Sequence, residues 1–164
     1  MSCELLIGSF SDGTVVSLVG RGTMCESPAF REVAERLLDK GTVVFDASRC
    51  DYLDSTFLGC LIGIKKACEQ IPKSRFLIAA SADTRLKLFC TSSLHQFFDF
   101  LEECPKVLKE SSKVDLERPD ERELGYHVMR CHKRLAEMGG HESDTFQAIA
   151  DRLAKELGGK VSVE

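Results

Sequence analysis

The stretch Val43-Val44-Phe45-Asp46-Ala47-Ser48-Arg49-Cys50-Asp51-Tyr52-Leu53-Asp54-Ser55-Thr56-Phe57-Leu58-Gly59 constrains this chain more than any other. Val43 to Phe45 are β-prone and unbroken, as a strand covered on both faces requires. Just beyond, Leu58, Leu61, Ile62 and Lys65 fall at helical spacing. A covered strand feeding a helix predicts an α/β unit, with Asp46 at the strand end and Asp54-Ser55-Thr56 at the corner where the helix begins. Asp54 reads as the N-cap. Ser55 and Thr56 then occupy the first turn, where unpaired N–H groups and the positive end of the helix dipole favour a negative group. A phosphate on either hydroxyl would be held there, on a corner read as open to solvent.

The flanking sequence supplies the rest of the unit. Glu4 to Phe10 and Thr14 to Val19 read as a hairpin about Ser11-Asp12-Gly13. Ser27 is expected to cap a helix with Pro28 in its first position, Phe30, Val33, Ala34, Leu37 and Leu38 on its apolar face, and Gly41 beyond its end. The helix from Ser55 to about Gln70 stops at Ile71-Pro72, and Arg75 to Ala80 reads as the next buried strand, completing a β-α-β crossover. Asp83 is expected to cap a short helix through Phe89. Gln96 to Phe100 reads as an edge strand, and Leu101 to Lys109 as a closing helix broken near Pro105.

Past residue 111 the texture changes. Residues 112–118 read as a linker between an α/β domain at 1–111 and a helical hairpin at 119–164. Leu124, Val128, Cys131 and Leu135 mark one face of the first hairpin helix, which Gly139-Gly140 ends. Asp144 with Gln147 suggests a capping box for the second, whose apolar face is Phe146, Ile149, Ala150, Leu153 and Leu157, before Gly158-Gly159. Two helices bury too little alone, so their apolar faces should dock on the first domain, on a second copy to make a homodimer, or on a partner.

With 43% hydrophobic and 29% charged residues the 164-residue chain can build one or two ordinary globular units. Its net charge of −4 argues against nucleic acid or an anionic membrane as the main partner. No signal-peptide pattern or membrane-length apolar run occurs, which suggests a cytoplasmic protein without membrane insertion. Eight cysteines without a Cys-x-x-Cys read as reduced, buried thiols. His127, Cys131 and His132 could hold a metal only with further ligands, so no metal and no cofactor is assigned.

The element order, the pair Asp46-Ala47-Ser48 and Asp54-Ser55-Thr56-Phe57-Leu58-Gly59 eight positions on, and the Leu94 to Leu101 stretch together resemble the STAS family of anti-sigma factor antagonists over roughly residues 1–111. The resemblance implies a mixed β-sheet with helices mainly on one face and the helical hairpin as an addition. It also implies a non-enzymatic regulator of transcription that binds a kinase-type anti-sigma factor, a serine/threonine kinase that phosphorylates the second hydroxyl of the corner. That position is Thr56, preceded by Ser55. Asp54, Asp51, Arg49, Thr23, Arg21 and Phe57 are the residues expected to meet the partner. Thr23 stands where the family often carries an acid after the second strand, and Phe57 where it often carries glycine. The alternative is a constitutive docking subunit of a stress-signalling or transporter complex, without phosphorylation.

Simpler roles accompany these. Thr56 can satisfy a backbone group in the first turn. Asp54 can be a cap alone, or orient the acceptor hydroxyl as well. Asp46 ends a strand as the acceptor aspartate of some phosphatases does, but Ser48 stands where those need a second acid, so hydrogen bonding to the loop is the better account. Gly59, Gly63 and Ala67 form a small-residue stripe that suits close packing. Gly20-x-Gly22 lacks the lysine of a phosphate loop, and His95 has no nucleophile elbow, so no catalytic constellation is legible.

Overall fold

The computed structural model describes residues 3–89, 94–109, 112–140 and 142–158. Gly159 and one of the eight cysteines, Cys90, lie outside the described residues. Strands β1 (Glu4–Phe10) and β2 (Gly13–Gly22) form the expected antiparallel hairpin, closing from Phe10 to Gly13. Only glycine fits at Gly13, because a Cβ would overlap the Thr42 carbonyl. β3 (Thr42–Asp46) runs parallel to β2 along its first half, and its alternation sends Phe45 to one sheet face and Val44 to the other. The second half of β2 pairs in parallel with β4 (Cys50–Leu53), a strand that sequence reading missed. Its two exposed central residues, Asp51 and Tyr52, give it the look of a loop, while Cys50 and Leu53 are buried.

Helix α1 (Ser27–Leu38) presents Phe30, Val33, Ala34 and Leu38 to the core, as its spacing predicts. Ser27 does not cap it. The entry turn is fixed instead by Thr23 and Glu26: Glu26 Oε1 accepts from the Thr23 amide at 2.9 Å and from its hydroxyl at 2.8 Å, and Thr23 Oγ1 accepts from the Cys25 amide. These bonds close the turn ahead of the helix, and Ser27 is fully buried. Helix α2 (Ser55–Glu69) links β3 to the parallel β5 (Arg75–Ala79), so the crossover is as expected.

The next segment departs further. Ser81, not Asp83, caps α3 (Ala82–Leu88), accepting from the Thr84 amide. The expected strand at Gln96 to Phe100 is divided between a helical turn, α4 (Leu94–Phe97), and β6 (Asp99–Leu101), which extends the sheet beside β5. The division seats Phe98 and Phe100 against Phe89, with ring centroids 5.8 and 5.3 Å apart. No helix forms at Leu101 to Lys109. Leu101 ends β6 and the residues after it run as irregular chain over the second sheet face, where Leu101, Cys104 and Val107 cover Val15, Val44, Leu77 and Ala79.

The residues read as a linker begin as β7 (Ser112–Lys113), paired antiparallel with β1, and the Val114 amide donates to Leu5 O. The sheet order is β6-β5-β3-β2-β1-β7, with β4 on β2. Helix α5 (Glu121–Glu137), capped by Asp120, ends as expected at Gly139 and Gly140, both with positive φ. Helix α6 (Ser143–Glu156) follows. Its start uses no side-chain cap: Asp144 lies within the first turn, and the Gln147 amide donates forward to Asp151. The apolar face of α5 docks on α2, which puts the hairpin over the helices and not over the sheet. Gly59 lies directly against the Cys131 carbonyl and Gly63 against the Arg134 guanidinium, so the small-residue stripe is a close-packing surface. Cys131 and Leu135 of α5 join Phe30, Phe45, Phe57 and Leu61 in the main core.

Candidate functional site

The corner is built from three backbone ties. The Ala47 amide donates to Ala79 O, the Gly20 amide to Arg49 O and the Asp54 amide to Gly22 O, which fixes the β3 end, the following loop and the α2 start to neighbouring strands. Asp46 is buried. Its Oδ2 accepts from Ser17 Oγ at 3.2 Å and its Oδ1 from the Ser48 amide at 3.0 Å. Cys104 faces this carboxylate, and burial followed by the Asp46 charge pushes its thiol up to about 11. Both Asp46 oxygens are thereby engaged with the strand and loop, the structural role expected for it.

Asp54 caps α2, with Oδ1 accepting from the Phe57 amide at 2.8 Å, and its Oδ2 accepts from the Met24 amide at 2.8 Å. One carboxylate therefore joins the start of α2 to the turn leading into α1. Burial raises its pKa from the ordinary carboxylate value, opposed by the two amide bonds.

The two hydroxyls differ, and here the expectation of an open corner fails. Thr56 is only 3% exposed. Ser55 is half-buried, and its Oγ lies 2.9 Å from His132 Nε2 of α5. Docking of α5 on α2 brings an imidazole to the corner, which the 1–111 segment alone gives no means to foresee. Phe57 is also not a surface residue. It is fully buried, 5.0 Å from the Phe30 ring centroid and 6.0 Å from that of Phe45. Its ring fills the junction between α1 and β3.

Arg21, Arg49 and Asp51 are exposed. Arg21 stands opposite Tyr52 in the β2–β4 ladder, with its guanidinium 4.2 Å over the Tyr52 ring. Tyr52 and Met24, 41% and 39% exposed, are large hydrophobic residues on the same side that the sequence reading did not single out. The pattern buried-exposed-exposed-buried of Cys50 to Leu53 was the available signal. Thr23 is half-buried and spent on its capping turn.

The three residues considered for a metal diverge in use. His127 Nε2 meets Ser27 Oγ and Cys131 Sγ, in a buried cluster between α1 and α5, whereas His132 turns to Ser55. Burial, then the Arg31, Arg130 and Arg134 charges, lowers the His127 pKa to about 4, and burial raises that of Cys131 to about 12. Among the described residues no three His, Cys, Asp or Glu side chains converge as a metal site, and no described helix is long and apolar enough to cross a membrane.

No family model matches the sequence, and no curated protein matches it significantly. Solved structures do. An anti-sigma factor antagonist from Mycobacterium paratuberculosis superposes with a TM-score of 0.50 at 20% identity, covering 62% of this chain and 86% of that one. The anti-sigma factor antagonist SpoIIAA in its unphosphorylated form superposes with a TM-score of 0.48 at 15% identity, over 61% and 89%. The mixed sheet with its helices on one face is thus the STAS fold of the anti-sigma factor antagonists. At this identity the likeness is one of fold.

Proposed function

We propose that this chain is a cytoplasmic, non-enzymatic regulator of the anti-sigma factor antagonist kind, which binds a kinase-type anti-sigma factor and is switched by phosphorylation of a corner hydroxyl, Thr56 or Ser55. The observation that carries the reading is the Asp54 junction. It ties the hydroxyl-bearing start of α2 to a surface of Met24, Arg21, Tyr52, Arg49 and Asp51, which mixes apolar, aromatic and oppositely charged groups in the way protein partners are met. The fold shared with an antagonist adds support.

A phosphate would add roughly −1.5 to −2 charges beside Asp51 and Asp54. Since 1.4 kcal/mol is about tenfold in affinity, a modest charge mismatch at the rim releases a partner. The test is calorimetric titration of the purified chain against kinase-type anti-sigma factors from its own genome, followed by incubation with ATP and intact mass. We expect one of them to bind, and to add one phosphate at the corner that weakens the complex at least tenfold. Absence of binding by all of them would sink the reading.

A second reading, the constitutive docking subunit, is favoured by the burial of Thr56 and the engagement of Ser55. It predicts partner binding that survives ATP and the kinase unchanged, with no added mass.

A further inference from the structure

We infer that the cavity between α1 and α5 binds a free basic amino acid, its carboxylate held by His127, Arg31 and Arg130 and its two cationic groups by Glu32 and Glu123. The site does not involve the corner, so it stands or falls apart from the proposed switch.

Docking of the hairpin creates the cavity, with α1 as one wall and α5 as the other. Its volume of about 380 Å³ falls within the range of small-molecule sites. His127 is the group that points to a ligand. It is only 5% exposed, yet it lines the cavity. Its Nε2 meets the Ser27 hydroxyl, which is fully buried and has no other hydrogen-bond partner among the described residues. A buried hydroxyl must place its proton on an acceptor, so Nε2 accepts. The Cys131 thiol, pushed up to about 12 and hence protonated, approaches the same nitrogen at 3.6 Å. The ring proton is therefore on Nδ1, and Nδ1 has no hydrogen-bond partner among the described residues.

An unpaired donor in a buried ring is costly, so an acceptor belongs beside it. The surroundings say which kind. Arg31, Arg130 and Arg134 lie close enough for their charges, after burial, to lower the His127 pKa to about 4, which keeps the ring neutral in a field that favours an anion. Arg31 meets Glu35 through Nε alone, at 2.9 Å to the nearer oxygen, and leaves both Nη groups for another acceptor. A neutral N–H donor among guanidinium groups fits a carboxylate. On the same cavity Glu32 and Glu123 have carboxylates with no ion-pair or hydrogen-bond partner among the described residues. Donors for one carboxylate beside two unmatched carboxylates describe a ligand with one anionic and two cationic ends. A diamine leaves the His127 and Arg31 donors unanswered, and an amino acid with a neutral side chain leaves one glutamate unanswered. Because the two walls come from α1 and the hairpin, the bound amino acid ties the hairpin to the rest of the fold.

Calorimetric titration of the full-length protein with L-lysine tests the assignment. We expect saturable binding with a dissociation constant tighter than about 1 mM. Norleucine, which lacks the second ammonium, and cadaverine, which lacks the carboxylate, should each bind weaker by about tenfold or more, the loss of one charged contact. Glu32→Gln and Glu123→Gln, both at exposed positions, should weaken lysine by a similar factor while leaving the melting midpoint in place. Imidazole nitrogen NMR of the wild type reads His127 without any substitution: its proton should be on Nδ1, and that resonance should move when lysine is added, which a purely structural histidine would not show. No binding of lysine overturns the site. So does cadaverine or norleucine binding as tightly as lysine, a peptide ending in lysine that binds where the free amino acid does not, or a His127 ring whose resonances stay in place.

Discussion

Asp54 holds two backbone amides with its two oxygens, one in its own helix and one in the Met24 turn, and each would otherwise be an unpaired donor near the surface. Asp54→Ala should therefore cost about 1–2 kcal/mol, the range of a lost N-cap. Asp54→Asn, which keeps one acceptor oxygen and turns an N–H₂ toward the other amide, should cost less. Urea unfolding of both variants reads the difference. His127 gives a second prediction. Its folded pKa of about 4 lies below the ordinary value of 6.5, so on acidification the unfolded chain takes up this proton first. The stability it confers is therefore present above pH 6.5 and is lost as pH falls toward 4, by up to about 3 kcal/mol at 1.36 kcal/mol per unit. His127→Gln, which can keep a hydrogen bond to Ser27 without titrating, should flatten the stability profile over that window. A profile parallel to wild type would mean that the imidazole titrates normally in the folded protein.

Between elements, the contact that decides most is α5 on α2, and the two glycines beneath it differ in what they touch. An alanine in mid-helix gains about 1 kcal/mol over glycine. At Gly59 the new methyl would overlap the rigid Cys131 carbonyl, and overpacking costs typically 1–3 kcal/mol, so Gly59→Ala should be destabilising and should raise hydrogen exchange in α5. At Gly63 the nearest atoms, from 2.8 Å, belong to the Arg134 guanidinium, which can swing aside. Gly63→Ala should then be neutral or slightly stabilising. Equal losses at the two positions would show that α5 does not sit as described.

For the whole molecule the question is whether the hairpin is an appendage or part of the fold. Cys131 is fully buried and Leu135 nearly so, within the same cluster as Phe30, Phe57 and Leu61. Leu135→Ala should cost about 2–5 kcal/mol, as a core leucine does, although it lies beyond the segment that forms the sheet and its crossover helices. Thermal unfolding should remain a single transition, with 94–109 and the hairpin melting together with the sheet. Two separated transitions, the first confined to α5 and α6, would make the hairpin an independent unit. Removal of residues after Lys113 should lower the midpoint and expose the face of α2 that Gly59 and Gly63 now hide.

Much of this was determined locally. The covered strand Val43 to Phe45, the Asp54 cap, the α2 stripe of small residues and the glycines ending α1 and α5 each follow from backbone rules that operate within a few residues, and they suffice for the α/β order and the corner. What a residue's neighbours along the chain cannot specify is what lies across from it. Ser27 has the composition of a cap yet is claimed by His127, a hundred positions away. Asp51-Tyr52 reads as loop until the far half of β2 supplies a ladder. Leu101 to Lys109 has helical spacing, but Leu101 ends β6 and the rest lies as irregular chain across a sheet face that nothing else covers with a helix. The same holds for the pair of hydroxyls at the corner. Sequence placed them at the start of α2, but only the tertiary structure buried Thr56 and set Ser55 Oγ against His132 of α5, because solvent exposure and hydrogen-bond partners are set by whatever packs above a side chain.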